Sequence, residues 1–211
     1  MMKKKLIASV LALFTIISLV GCGSTQTTAS ADTKETVKQE DTNPNEKTVD
    51  GIKFTLEGVT REPVKGDRTK DDFAQNNGEY FAIGPKVVKA SDYENIVINL
   101  KIENTTDKAI EISEYGWTAK MKDGYKLNDS LNDKDIDKQI ASHNDIEGAI
   151  KILVEKKLDV KEFNLNYNLI DYTNFDKMLG EAVSGKSEAE CKAKYPELFK
   201  ENYVTFNIQV N

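Results

Sequence analysis

From residue 52 onward the chain places apolar residues at every second position. Ile52, Phe54 and Leu56 alternate with Lys53, Thr55 and Glu57, the pattern of a strand with one buried face. Residues 95–103 repeat it most clearly, with Ile96, Ile98, Leu100 and Ile102 opposite Val97, Asn99, Lys101 and Glu103. Ile150, Ile152 and Val154 follow, then Phe163, Leu165, Tyr167 and Leu169, and finally Val204, Phe206, Ile208 and Val210. Residues 80–90 predict a further strand, interrupted at Gly84-Pro85 and therefore suited to an edge or a bulge. Residues 109–113 predict a return strand, and Tyr115, Trp117, Ala119 and Met121 a strand running into an Asp123-Gly124 hairpin turn. About eight short strands divided by turns predict a mainly β protein, an antiparallel β-sandwich or barrel and not a parallel α/β sheet. Trp117, on an alternating face, is expected to pack in its core.

One segment changes period. Phe175, Met178, Leu179, Ala182 and Val183 recur at helical spacing, and Ser184-Gly185 ends the run. Ser187 and Glu190 have the spacing of a capping box, which predicts a second helix with Cys191, Tyr195, Leu198 and Phe199 on its apolar side and Pro196 as a break or kink. A helical insertion over about 173–200, before the last strand, is expected to cover an open end or edge of the sandwich.

The stretches outside this pattern are polar. Residues 61–78 are rich in Gly, Asp and Asn and predict a long surface loop. Residues 23–48 contain no Phe, Tyr, Trp, Leu or Ile. Such a segment buries too little to offset its ordering entropy. Residues 22–48 are thus expected to form a disordered tether with a reach of about 30 Å, and residues 49–211 a single globular unit.

At the start of the chain Lys3, Lys4 and Lys5 precede an uncharged apolar run over residues 6–20, and small Gly21 precedes a cysteine. This is the layout of an export signal over residues 1–21, and 15 apolar residues are too few to cross a hydrocarbon core that takes roughly 20. Leu19-Val20-Gly21-Cys22 resembles the lipobox of bacterial lipoproteins. The resemblance implies cleavage before Cys22, a diacylglyceryl group on its thiol, and attachment to the extracytoplasmic face of the cell membrane. Two acyl chains anchor firmly where one alone binds marginally.

Loss of the three signal lysines takes the formal charge from −6 to −9. Arg61 and Arg68 are the only arginines and the lysines are mixed with carboxylates, so nucleic acid is excluded as a natural partner. With Cys22 acylated, Cys191 has no thiol to pair with and is expected to be buried.

The stretch Ile96-Val97-Ile98-Asn99-Leu100-Lys101-Ile102-Glu103-Asn104-Thr105-Thr106-Asp107-Lys108 resembles a family of exported immunoglobulin-like domains of unknown function, common in lipoproteins of Gram-positive bacteria and similar in fold to small secreted immunoprotective antigens. Residues 117–125 and Ile146-Glu147-Gly148-Ala149-Ile150-Lys151-Ile152 fit the same family. The resemblance implies an immunoglobulin-like sandwich over roughly residues 54–167. It carries no catalytic residues, and the helical insertion departs from it.

Chemistry is sparse. Asp133, Asp135 and Asp137 have the 1, 3, 5 spacing of a calcium loop, with Asp129 nearby, but Lys138 and Asn144 stand where an EF-hand needs Gly and Glu. The alternative is a solvated acidic loop. His143 is the sole histidine, beside Ser142, Asn144 and Asp145 in a predicted turn, and no nucleophile elbow, HExxH or P-loop occurs. Carboxylate pairs for glycoside hydrolysis need no local motif, and none is nominated. The expectation is a non-enzymatic binding module without a cofactor, anchored by Cys22 and meeting a protein partner at the envelope through residues 61–78 or the helical insertion. A ligand- or calcium-binding lipoprotein serving a transporter or sensor is the alternative.

Overall fold

The computed structural model describes residues 43–71, 77–127 and 136–211. Residues 41–211 form one compact unit. Among the described residues the strands are β1 (Glu46–Val49), β2 (Ile52–Pro63), β3 (Tyr80–Ile83), β4 (Lys86–Lys89), β5 (Tyr93–Asn104), β6 (Ile110–Ile112), β7 (Trp117–Lys120), β8 (Lys138–Ile140), β9 (Asp145–Glu155), β10 (Glu162–Asn168) and β11 (Tyr203–Gln209). Two helices, α1 (Phe175–Val183) and α2 (Glu188–Lys194), and a 3-10 turn over Pro196–Phe199 lie between β10 and β11.

Two antiparallel sheets carry the core, one in the order β1-β2-β5-β9 and the other β11-β10-β7. With β2, β5 and β9 as strands A, B and E, and β7, β10 and β11 as C, F and G, the orders A-B-E and G-F-C are those of the immunoglobulin sandwich. The inward faces are the alternating sets. Phe54, Ile98, Leu100, Ile102 and Ile152 of one sheet meet Phe163, Leu165, Tyr167, Phe206 and Ile208 of the other, all essentially without solvent contact. Trp117, at the start of strand C, is buried against Tyr167 and Phe54, with ring centroids 4.5 and 6.2 Å away.

Several elements differ from the pattern read along the chain. The tether does not run to Thr48, because Glu46–Val49 pairs with β2. The cause is the Asp50-Gly51 dipeptide, whose φ angles of 49° and 77° make the positive-φ pair of a two-residue hairpin. Arg61 does not open a loop, since β2 continues to Pro63. A bulge between Leu56 and Gly58 shifts the alternation by one residue, so that Val59 pairs with Ile98 and Arg61 with Ile96. Arg61 there pairs with Glu94 and donates to the carbonyls of Val160 at 2.6 Å and Asn211 at 3.3 Å. Gly84-Pro85 is not a bulge in one strand but the turn of the separate β3–β4 hairpin. Tyr115 lies in a 3-10 turn, Glu114–Gly116, capped by the Ser113 hydroxyl.

The helical insertion matches its reading closely. Ser187 and Glu190 form the full capping box, and Met178, Cys191 and Tyr195 make a small core of their own, with Cys191 fully enclosed. Pro196 opens the 3-10 turn instead of kinking α2. Val183, expected on the apolar face, is 56% exposed. The ring of Phe175 stacks on Tyr115 at 4.1 Å and so ties the insertion to the sandwich.

Candidate functional site

Strand polarity gives the sandwich two distinct ends. One carries the β3–β4 hairpin, the start of β5 and the end of β9, where Tyr93 faces Glu155. The other carries the Asp50-Gly51 turn, residues 104–108, His143 and the helical insertion, since Ile52 pairs with Asn104, Glu103 with Asp145 and Asn168 with Tyr203.

This second end is built around asparagines. Asn104 is fully buried at the close of β5, where alternation points it inward. Its Nδ2 donates to the carbonyls of Lys108, Ala141 and Ile140 at 2.7, 3.1 and 3.2 Å. Its Oδ1 accepts from the backbone N–H and hydroxyl of Thr106 at 3.0 and 2.7 Å. The Thr105 N–H and hydroxyl in turn donate to the Gly51 carbonyl, and a side chain on Gly51 would meet Thr106 at 2.7 Å. The motif that carries the family resemblance is therefore a plug that joins three chain segments.

Beside it lies an open cleft of about 510 Å³, lined by Asp50, Leu169, Ile170, Asp171, Glu197, Lys200, Glu201 and Asn202. Asn202 bridges its walls, its Nδ2 donating to Asp50 at 2.7 Å and to the Leu169 carbonyl at 3.1 Å. Asn168 braces the same corner through the Asn202 N–H and the Lys200 carbonyl. Bonds from the Thr173 hydroxyl and N–H hold the Asp171 carboxyl below its ordinary value, and burial holds the Tyr172 phenol well above its own. Four carboxylates against one lysine make the cleft acidic, and Leu169 and Ile170 complete its lining; it suits a cationic group. Of these residues the chain pattern points only to Leu169, as the last apolar position of a predicted strand. The Asp50-Gly51 dipeptide, just after the predicted tether, is the one local signal for this corner.

The residues nominated from sequence are scattered. Leu19, Val20, Gly21 and Cys22 lie outside the described residues, as do Asp129, Asp133 and Asp135. Asp137 is described, and its Oδ1 accepts from the Glu114 N–H at 3.3 Å. Among the described residues no group of three metal-ligating side chains is arranged around a common point. His143 sits in a turn at φ 56° and its Nε2 lies 2.9 Å from Asp107, both side chains largely in solvent. Trp117 Nε1 is buried without a hydrogen-bond partner.

A β-sandwich with a helical cap at one end is the class that this geometry defines. No family profile and no curated protein matches the chain. Among solved structures, the YcdA protein of Bacillus subtilis, described provisionally as a lipoprotein, is 17% identical with a TM-score of 0.44. The match covers 78% of this chain, which spans only 38% of the length of that protein. The YjhA protein of Bacillus subtilis is 16% identical, with a TM-score of 0.47 over 79% of this chain and 96% of its own. An uncharacterized β-sandwich protein of Clostridium difficile is 16% identical, with a TM-score of 0.36 over 65% and 92%.

Proposed function

We propose that the protein is a membrane-anchored extracytoplasmic lipoprotein that works as a non-enzymatic binding module at the cell envelope. The observation that carries this reading is the segment Leu19-Val20-Gly21-Cys22, behind three lysines and an apolar run. A thiol in that setting is the acceptor for a diacylglyceryl group, and the roughly 20 residues before Asn43 separate the anchor from a domain with its own core. The fold supports this reading with exposed contact surface at its insertion end. Its one histidine is engaged in an exposed turn, whereas the insertion end presents Val183 and Tyr203 to solvent beside an acidic cleft.

The test is photo-crosslinking in producing cells, with a photoreactive residue at position 183 or 203 of the full chain. A discrete adduct with one envelope protein is expected. Diffuse or absent adducts at both positions, or turnover of peptidoglycan or ester substrates by the purified protein, would overturn the reading.

A further inference from the structure

The two core sheets leave one long strand open on one side. Of the strands at their edges, β1 and β7 are four residues long and β11 lies against β1 and β2. β9 runs for 11 residues and has β5 as its sole ladder partner among the described residues. An unpaired edge is a template for another strand, and proteins blunt it with proline, bulges, brevity or a lysine. β9 contains no proline and keeps unbroken register with β5. Its one lysine is Lys151.

The ladder fixes which groups that edge presents. The Asn104 N–H bonds the Asn144 carbonyl at 2.8 Å, and the Thr105 N–H bonds the Gly51 carbonyl in the turn that leads into β2. Even-numbered residues of β9 therefore carry the bonds to β5, and the N–H and C=O groups of Asp145, Glu147, Ala149, Lys151 and Leu153 point to the open side. Their side chains lie on the outer face, opposite the buried Ile150, Ile152 and Val154. Glu147 and Lys151 are exposed there. Lys151 reaches Glu62 of its own chain at 3.2 Å, but both groups are about half in solvent and such a pair contributes little.

We propose that β9 pairs antiparallel with β9 of a second copy of the chain, about a two-fold axis at Ala149. In this register each Glu147 faces Lys151 of the other copy, Ala149 faces Ala149, and Asp145 faces Leu153, so opposite charges meet twice and like charges nowhere. The neighbouring registers are poorer. Centred on Ile150, Asp145 faces Glu155 and Lys151 faces Ala149; centred on Lys151, two lysines meet at the axis and Glu147 faces Glu155. Centred on Gly148, Asp145 meets Lys151, but the overlap shrinks to residues 145–151 and Glu147 faces Ala149. The lysine that guards this edge thus admits a strand with a carboxylate at the matching position, which the chain itself supplies. Two four-stranded sheets join into one of eight strands. A single strand edge covers less than the ~800 Å² per partner of a stable interface, so the pair exchanges with single chains.

Sedimentation equilibrium of the full chain, purified from producing cells into density-matched detergent and loaded over about 1–500 µM, tests this directly. The protein mass is expected to rise from one chain toward two with concentration. Glu147→Lys and Lys151→Glu each set like charges opposite one another at both contacts and are each expected to weaken association at least about fivefold. An equimolar mixture of the two variants is expected to associate again, because every contact then sets a lysine against a glutamate, and that recovery also shows that both variants fold. A one-chain mass for the wild type at every concentration, a single variant that associates as strongly as the wild type, or a mixture that associates no more than its components overturns the proposal.

Discussion

Replacing Asn104 by alanine removes the plug at the insertion end of the sandwich. The side chain is fully enclosed and offers two N–H hydrogens to three carbonyls and one oxygen to two Thr106 donors. Each such bond contributes about 1 kcal/mol net, and a buried acceptor left unmade costs about 1–3 kcal/mol. The Ile140 carbonyl is the buried partner, while the others partly recover through water, so a loss of about 3 kcal/mol is expected. Urea unfolding followed by the fluorescence of Trp117, the sole tryptophan, measures it. With an m-value of roughly 2 kcal/mol/M the midpoint falls by about 1.5 M. Asn104→Asp keeps the shape and sets a carboxylate against the same carbonyls. Only its protonated form donates to them, so its folded pKa rises above the unfolded value of about 3.9, and the destabilisation grows as pH rises through this range toward neutrality. A midpoint within about 0.3 M of the parent for alanine, or an aspartate variant insensitive to pH, would refute the reasoning.

Gly116→Ala places a Cβ 2.4 Å from the Tyr167 ring, and overpacking of this kind is expected to cost about 1–3 kcal/mol in the same urea assay. Phe175→Ala removes the stack on Tyr115; it is expected to speed the reaction of Cys191 with a disulfide reagent several-fold while leaving the global midpoint nearly unchanged, because the insertion has its own core. The Glu181 carboxyl is held below its ordinary value by the Lys194 ammonium and Tyr195, and that of Glu190 by the Ser187 N–H and hydroxyl. Their contribution is fully present above the free carboxylate value of about 4.3 and is lost as pH falls through the lower folded values. Cys191 is therefore expected to open to dithiodipyridine, which reacts in acid, before Trp117 reports unfolding. Calorimetric titration with calcium is expected to show no saturable heat, since Asp137 already serves the Glu114 N–H; heat abolished by alanine at Asp133, Asp135 and Asp137 would contradict this.

The strands that alternation announced are those whose partners lie on one face for their full length. β10 and β11 bury every second residue without interruption, and β5 does so from Ile98 to Asn104, so a count along the chain suffices to place them. β2 defeats that count because the bulge at Glu57 exchanges its faces midway, and Arg61 then reads as loop although it clasps Glu94 and the Val160 carbonyl. β1 was hidden because its stability comes from pairing with β2 and from a two-residue turn, neither of which shows in the polar composition of its own residues. The capping box of α2 was legible because it is wholly local. The cleft was not, since Asp50 and Asn202 meet only once both sheets are assembled. Asn104 lay between the two cases: its turn was visible from the residue types, but its burial under the carbonyls of residues 140 and 141 depends on the end of β8 and the turn that follows it.

The central claim is attachment through Cys22, and mass spectrometry of the N-terminal peptide from membranes of producing cells tests it most directly. The account predicts a chain that begins at Cys22 with a diacylglyceryl group on its sulfur, and a Cys22→Ser variant that keeps residues 1–21. A protein that begins at Cys22 without lipid, or one in which the wild-type chain retains residues 1–21 in the membrane, would contradict it.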